Sequence, residues 1–300
     1  MTESLLQKVR RADKLPALPI VTLEALRMLQ VENVPIEQLV DLIKRDPGLT
    51  ATILKVVNSP FYGLLHRVVS LKDAINMIGI NIMKLLVVSI SLVGNLKDSR
   101  TRLPHSLYWQ RSLFSAITAL LLAKKASPKL AEDAFVTGLL ADIGMLAASL
   151  YAADEYFQVF ALWSAKQRPL LEIEKEQMGF SHASLGRELL RNWRLPEHVC
   201  VAIGAHQGEE LEALSPKASE LAHIVRAASA VAELFCQDTS ATELPRVKEI
   251  CRTVKGIDDT FLESLLNAIG SHVKDLAMLL AVPVGQVVTY EIIKERARIV

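Results

Sequence analysis

GLLADIGML, residues 138–146, sets one carboxylate in an apolar run. Asp142 is the only charged residue between Asp133 and Asp154, and Leu139, Leu140, Ile143, Met145 and Leu146 crowd it. A carboxylate is costly to bury without a partner, so Asp142 needs a cation, a capping duty or a ligand role. Nothing in the run alternates as a half-buried strand would.

The punctuation around it is helical. Pro35 opens PIEQLVDLIKRD, with Ile36, Leu39, Val40 and Ile43 on one face. DPGLTATILKVVNSP starts at Pro47 and stops at Asn58-Ser59-Pro60. Asp46, Asn58 and Ser59 there read as capping residues, and Phe61 and Tyr62 as a packing anchor. Ser70 to Asp73 resembles a capping box, with Gly79 as the stop. Ser127-Pro128 reads as the N-cap and first residue of the next helix. Ser181 is placed to cap SHASLGRELLRNW, and Pro196 to open PEHVCVAIGAH. Aromatics are 5% of the chain while Leu and Ala abound, which favours helices over β-sandwiches. The expected fold is all-α, with a dozen helices or more. Polar seams at 95–106 and 236–245 divide it into an N-terminal lobe, a middle lobe and a C-terminal helical tail.

Composition narrows the function. The 300 residues, 51% hydrophobic and 22% charged, suffice for a sizeable core, and a net charge of +1 supplies no bulk field toward nucleic acid or anionic lipid. Cys200, Cys236 and Cys251 form no CxxC pair, which points away from a zinc site or disulfide framework and fits a reducing, cytosolic location. MTESLLQKVRRADK is too polar for a signal peptide, and its KVRRADK stretch reads as a solvated face. The longest uncharged run, Leu276 to Tyr290, is short for a membrane span and holds Pro283 and Gly285.

Three polar residues fall on faces that should be apolar. Asp142 is the first. His182 lies on the stripe of Leu185, Gly186, Leu189 and Trp193; His206 follows Val199, Ala202 and Ile203 on one face. One carboxylate and two imidazoles from separate helices can converge on a metal ion. Each histidine taken alone is more often a hydrogen-bonded core residue, and no spacing such as HExxH compels a metal.

Several blocks together resemble the HDOD domain. They are LPALP (15–19), DPGLTATILKVVNSPFYG (46–63), SLKDAINMIG (70–79), LYWQRSL (107–113), AFVTGLLADIGML (134–146) and EIEKEQMGFSHASLGRELLRNWRLPEHVCVAIGAH (172–206). The resemblance runs in order over residues 12–210. It implies an N-terminal helical lobe (1–98), a degenerate HD-like lobe (103–236) and a C-terminal helical extension (237–300). HDOD domains are all-α relatives of the HD metal-dependent phosphohydrolases, occur mainly in bacteria and are associated with signalling.

The resemblance also implies an eroded site. Active HD enzymes carry a His where Arg111 stands; their His-Asp pair falls on Ala141-Asp142; a later His falls on His182; paired histidines fall on His206-Gln207; a final Asp falls near Ser229. At most three ligands survive, too few for the usual two-metal clamp. Arg111 would put a permanent positive charge in the pocket and offer Asp142 a partner. No catalytic or cofactor-binding residue and no metal are therefore expected. The alternative is a single divalent ion on Asp142, His182 and His206, in a residual phosphohydrolase acting on a nucleotide or phosphodiester. The leading expectation is a non-enzymatic, cytoplasmic regulatory module whose partners are signalling proteins. No nucleic acid or membrane partner is expected, and a homo-oligomer is allowed.

Overall fold

Five helices start at the proline or cap residue the sequence points to: Pro35, Asp46, Ser70, Ser181 and Pro196. The computed structural model describes residues 20–29, 31, 34–59, 66–95, 103–165, 168–208, 214–236 and 240–299. LPALP, KVRRADK, Phe61, Tyr62 and most of the 95–106 seam lie outside them. The described residues form α-helices and one 3-10 turn, with no strand among them.

The first five helices are α1 (Ile20–Leu29), α2 (Ile36–Lys44), α3 (Pro47–Val57), α4 (Leu71–Ile78) and α5 (Ile80–Asn95). In α2 the apolar spacing buries Leu39, Val40, Leu42 and Ile43. Asp46 caps α3, its Oδ1 accepting from the Leu49 N–H at 2.9 Å. Asn58 does more than end α3. Its amide donates to the carbonyls of Leu54 and Val68, and its Oδ1 accepts from the Val68 N–H, each at 2.7 Å. Ser70 caps α4 by accepting from Asp73 N–H at 3.1 Å, while its hydroxyl donates to the Asp73 carboxylate at 2.6 Å. Lys84 of α5 is buried and donates to the Met28 carbonyl at 2.8 Å, a cation at the C-terminal end of α1.

Helix α6 (His105–Ala126) runs through the second half of the molecule. Fifteen of its residues are buried, on every face, because other helices surround it. After the 3-10 turn Pro128–Leu130 come α7 (Ala131–Leu140), α8 (Ile143–Tyr151), α9 (Ala153–Ser164) and α10 (Leu170–Met178). Then follow α11 (His182–Asn192), α12 (Glu197–Ala205), α13 (Pro216–Cys236), α14 (Ser240–Arg252), α15 (Asp259–Leu280) and α16 (Tyr290–Ile299). Helices α7 and α13 pack along α6, and α15 packs on both α6 and α3. Phe114 and Phe235 stack at 4.8 Å between ring centroids across the α6–α13 contact. The stretch Pro128–Tyr151 is apolar and long enough to cross a membrane, but it is largely buried inside the protein.

One local expectation needs correction. Ser127 makes no cap hydrogen bond. Its hydroxyl goes to the Glu220 carboxylate on α13, so a 3-10 turn rather than a capped helix follows. Within the 236–245 seam, residues 240–245 are helical and begin α14, with Pro245 inside it.

The opening run owes its shape to its glycines. A Cβ on Gly138 would stand 2.7 Å from the Ser115 carbonyl oxygen on α6, and one on Gly144 would stand 1.9 Å from that of His182 on α11. Gly138 thus lets α7 lie against α6, and Gly144 lets α8 touch α11. Between them the helix breaks at Ala141-Asp142, which aims Asp142 inward at the start of α8.

Candidate functional site

Four helix ends or faces meet around Asp142. Arg111 comes from the middle of α6, Asp142 from the α7–α8 break, His182 from the first residue of α11 and His206 from the end of α12. All four are 1–2% exposed. The Ser181–Ser184 capping box fixes the start of α11, and with it the direction of His182.

Arg111 grips Asp142 with a two-pronged contact. Its Nε donates to Oδ2 at 2.8 Å and its Nη2 to Oδ1 at 3.3 Å. The Trp163 ring lies 5.4 Å from Arg111 Cζ, within cation–π range. Nη1 is buried without a hydrogen-bond partner among the described residues. Burial opposes the charges of the pair, but each outweighs it for the other: Arg111 is raised, and Asp142 is held at about 2 by Arg111 and His182.

The two histidines face each other, with Nε2 atoms 3.3 Å apart. His182 Nδ1 lies 2.7 Å from Glu174 Oε2, which also accepts from the His182 backbone N–H at 2.8 Å. Tyr156 donates to the other Glu174 oxygen at 2.8 Å. His206 Nδ1 lies 2.6 Å from the Ile203 carbonyl, which can only accept. Both Nδ1 atoms therefore carry protons, and both Nε2 lone pairs point at one spot beside Asp142 Oδ1, 3.5 and 3.9 Å away. Two facing lone pairs need a proton, a cation or an N–H donor such as the Gln207 amide beside them. Burial opposes a charged His182, yet Glu174 raises its pKa; burial and His182 push His206 down to about 4. Of the two imidazoles, His182 is the one whose protonated form the surroundings favour.

Donor atoms of Asp142, His182 and His206 all lie within 4.8 Å of one another. A tetrahedral ion with bonds of about 2.0–2.1 Å sets its ligands about 3.3–3.4 Å apart, so this triad fits one ion. Glu174 behind His182 is the kind of outer partner that orients a metal-bound imidazole. The guanidinium on Asp142 is the feature that does not fit, because it competes for the same carboxylate.

The remaining expected residues contribute less. Gln207 Nε2 lies 3.5 Å from His182 Nε2. Ala141 is buried and offers nothing polar. Ser229 turns to Ser115, with hydroxyl oxygens 3.2 Å apart, and not to the four. Sequence reasoning missed Glu174, Tyr156 and Trp163. Glu174 had a signal: it follows Leu170 by four residues and Ile173 by one, on the buried stripe of α10.

The pKa of His206 gives a pH prediction. Between about 6.5 and about 4 the unfolded chain binds this proton and the folded one does not, so stability falls as pH drops through that window. His182 runs the other way, because its raised pKa contributes stability at low pH that is lost as pH rises past its folded value. Urea unfolding from about pH 7.5 to about pH 4 should show a shallower acid-side loss in His206→Gln than in the parent protein. Equal slopes would show that His206 is not held neutral.

The matches with known proteins are consistent in fold. The family model described as HDOD domain matches residues 15–209. An uncharacterized protein of Treponema pallidum (strain Nichols) is 26% identical over 200 residues, which is 65% of this chain. The match spans 38% of that protein's length. An HDOD domain protein with unknown function from Geobacter sulfurreducens is 25% identical, with 92% of this chain and 97% of that one covered at a TM-score of 0.70. A structure from Shewanella amazonensis SB2B, 24% identical over the same shares of the two chains, has the same fold at a TM-score of 0.69.

Proposed function

Since this chain belongs to the HDOD family, we propose that it is a regulatory module of bacterial signal transduction, working through protein–protein contacts and not through catalysis. In this reading it is cytoplasmic and its partners are signalling proteins. The observation that carries it is the Arg111–Asp142 pair, with Nε on Oδ2 at 2.8 Å. A hydrolytic HD site needs its carboxylate for the metal and an open position for activated water. Here a fixed guanidinium holds that carboxylate, and the resemblance sets Ala141, Gln207 and Ser229 at positions where active HD enzymes carry further ligands. The near-neutral net charge of +1 supports a protein partner over nucleic acid.

One observation favours a second reading. The spacing of Asp142, His182 and His206 suits a single divalent ion. Bound there, an ion would supply a water of lowered pKa for attack on a phosphoester, and the chain would be a residual phosphohydrolase. A turnover assay with phosphomonoesters, nucleotides and cyclic dinucleotides, in the presence of Mg²⁺, Mn²⁺, Fe²⁺ or Zn²⁺, separates the two. The regulatory reading predicts no rate above the protein-free control. Metal-dependent turnover that disappears in Asp142→Ala would overturn it.

A further inference from the structure

A small cavity opens beside the histidines, where the C-terminal helices close over the site. Its volume is about 50 Å³, and its wall combines His206 and Gln207 at the end of α12, Arg226 and Glu233 of α13, and Glu243 and Arg246 of α14. Residues 243–246 fall beyond the 15–209 match, so this wall is built partly by the C-terminal region.

The charges on this wall are not all spoken for. Glu243 pairs with Arg246 at 2.9 Å. Glu233 lies in the field of Arg111. Arg226 is half-buried and has no hydrogen-bond or ion-pair partner among the described residues. Its guanidinium is nevertheless held in place. A Cβ on Gly208 would stand 3.0 Å from Cζ, 3.1 Å from Nε and 3.1 Å from Nη2, so the guanidinium occupies the space a side chain at 208 would take. Gly208 has φ +94°, which suits glycine and places no side chain there. With no partner among the described residues, the Arg226 N–H donors remain for another group.

We propose that this cavity binds a small oxyanion, the head group of a phosphate- or carboxylate-bearing ligand, with Arg226 as its main anchor and Arg246 and the Gln207 amide as supporting donors. An in-plane fork of N–H donors matches the oxygens of either group. The size agrees: the volume holds about three or four water-sized probes, enough for a head group but not for a whole nucleotide. The rest of the ligand would lie outside, against α14.

Calorimetric titration of the full chain with inorganic phosphate, with acetate, and with sodium chloride at matched ionic strength tests this. Saturable binding of phosphate identifies a phosphate site and saturable binding of acetate a carboxylate site; chloride should give no saturable heat. Arg226→Gln should weaken the affinity about tenfold or more, with an unchanged circular dichroism spectrum. Arg246→Gln, at a mostly exposed position, should lose several-fold and carries the test if Arg226→Gln does not fold. Arg168→Gln, in an exposed pair that does not line the cavity, should change nothing. No saturable binding of either oxyanion, or affinity unaltered by both pocket variants, would overturn the proposal. The regulatory reading can fail separately, since metal-dependent turnover at Asp142 leaves Arg226 untouched.

Discussion

Gly144→Ala is expected to unfold the protein, or to cost it about 3 kcal/mol or more. Overpacking in a tight core usually costs about 1–3 kcal/mol, and this site has no room to relax. The added Cβ would stand 1.9 Å from the His182 carbonyl oxygen and 2.8 Å from Gly186 N, both backbone atoms of α11. Neither can rotate away as a side-chain tip could. The helices must separate, and His182, the first residue of α11, leaves Asp142 when they do. Gly179→Ala is the control. Its position has φ +74° and nothing within 4 Å, so only backbone strain of about 1–2 kcal/mol is added there. Urea unfolding compares the two. A Gly144→Ala protein no less stable than Gly179→Ala would mean that α8 and α11 do not approach as described.

Breaking the buried pair should cost nearly as much from either side. Asp142→Asn leaves the Arg111 guanidinium buried without a counter-charge, and Arg111→Met leaves the carboxylate leaning on His182 alone. Each is expected to lose about 3–5 kcal/mol. The double variant should cost clearly less than the sum, with a coupling of about 2–3 kcal/mol, because removing the second partner relieves the charge left by the first. Additivity to within about 0.5 kcal/mol would show that the two groups do not hold each other.

Much of the architecture could be read from local chemistry. Asp46, Ser70, Ser181 and Pro196 start helices because caps and prolines act over three or four residues, a range the sequence displays directly. Asp142, His182 and His206 stood out because each breaks an apolar stripe. Glu174 breaks one too, but its neighbours Glu172, Lys175 and Glu176 make α10 look solvated. Only the packing shows that its single buried stripe carries the carboxylate. Ser127 failed as a cap because Glu220, 93 residues away, offers its hydroxyl a competing acceptor. The oxyanion cavity was not legible either: Gln207 follows α12 while Arg226 and Arg246 lie on α13 and α14, and nothing in their spacing brings them together.

The central claim is that the cation compensating Asp142 is Arg111. Elemental analysis of the full chain, purified without chelator and then equilibrated with a slight excess of Zn²⁺ or Mn²⁺ and desalted, tests it most directly. The claim predicts far less than one equivalent of any divalent metal in the parent protein. One equivalent retained by the parent and lost in both Asp142→Asn and His206→Gln would contradict it.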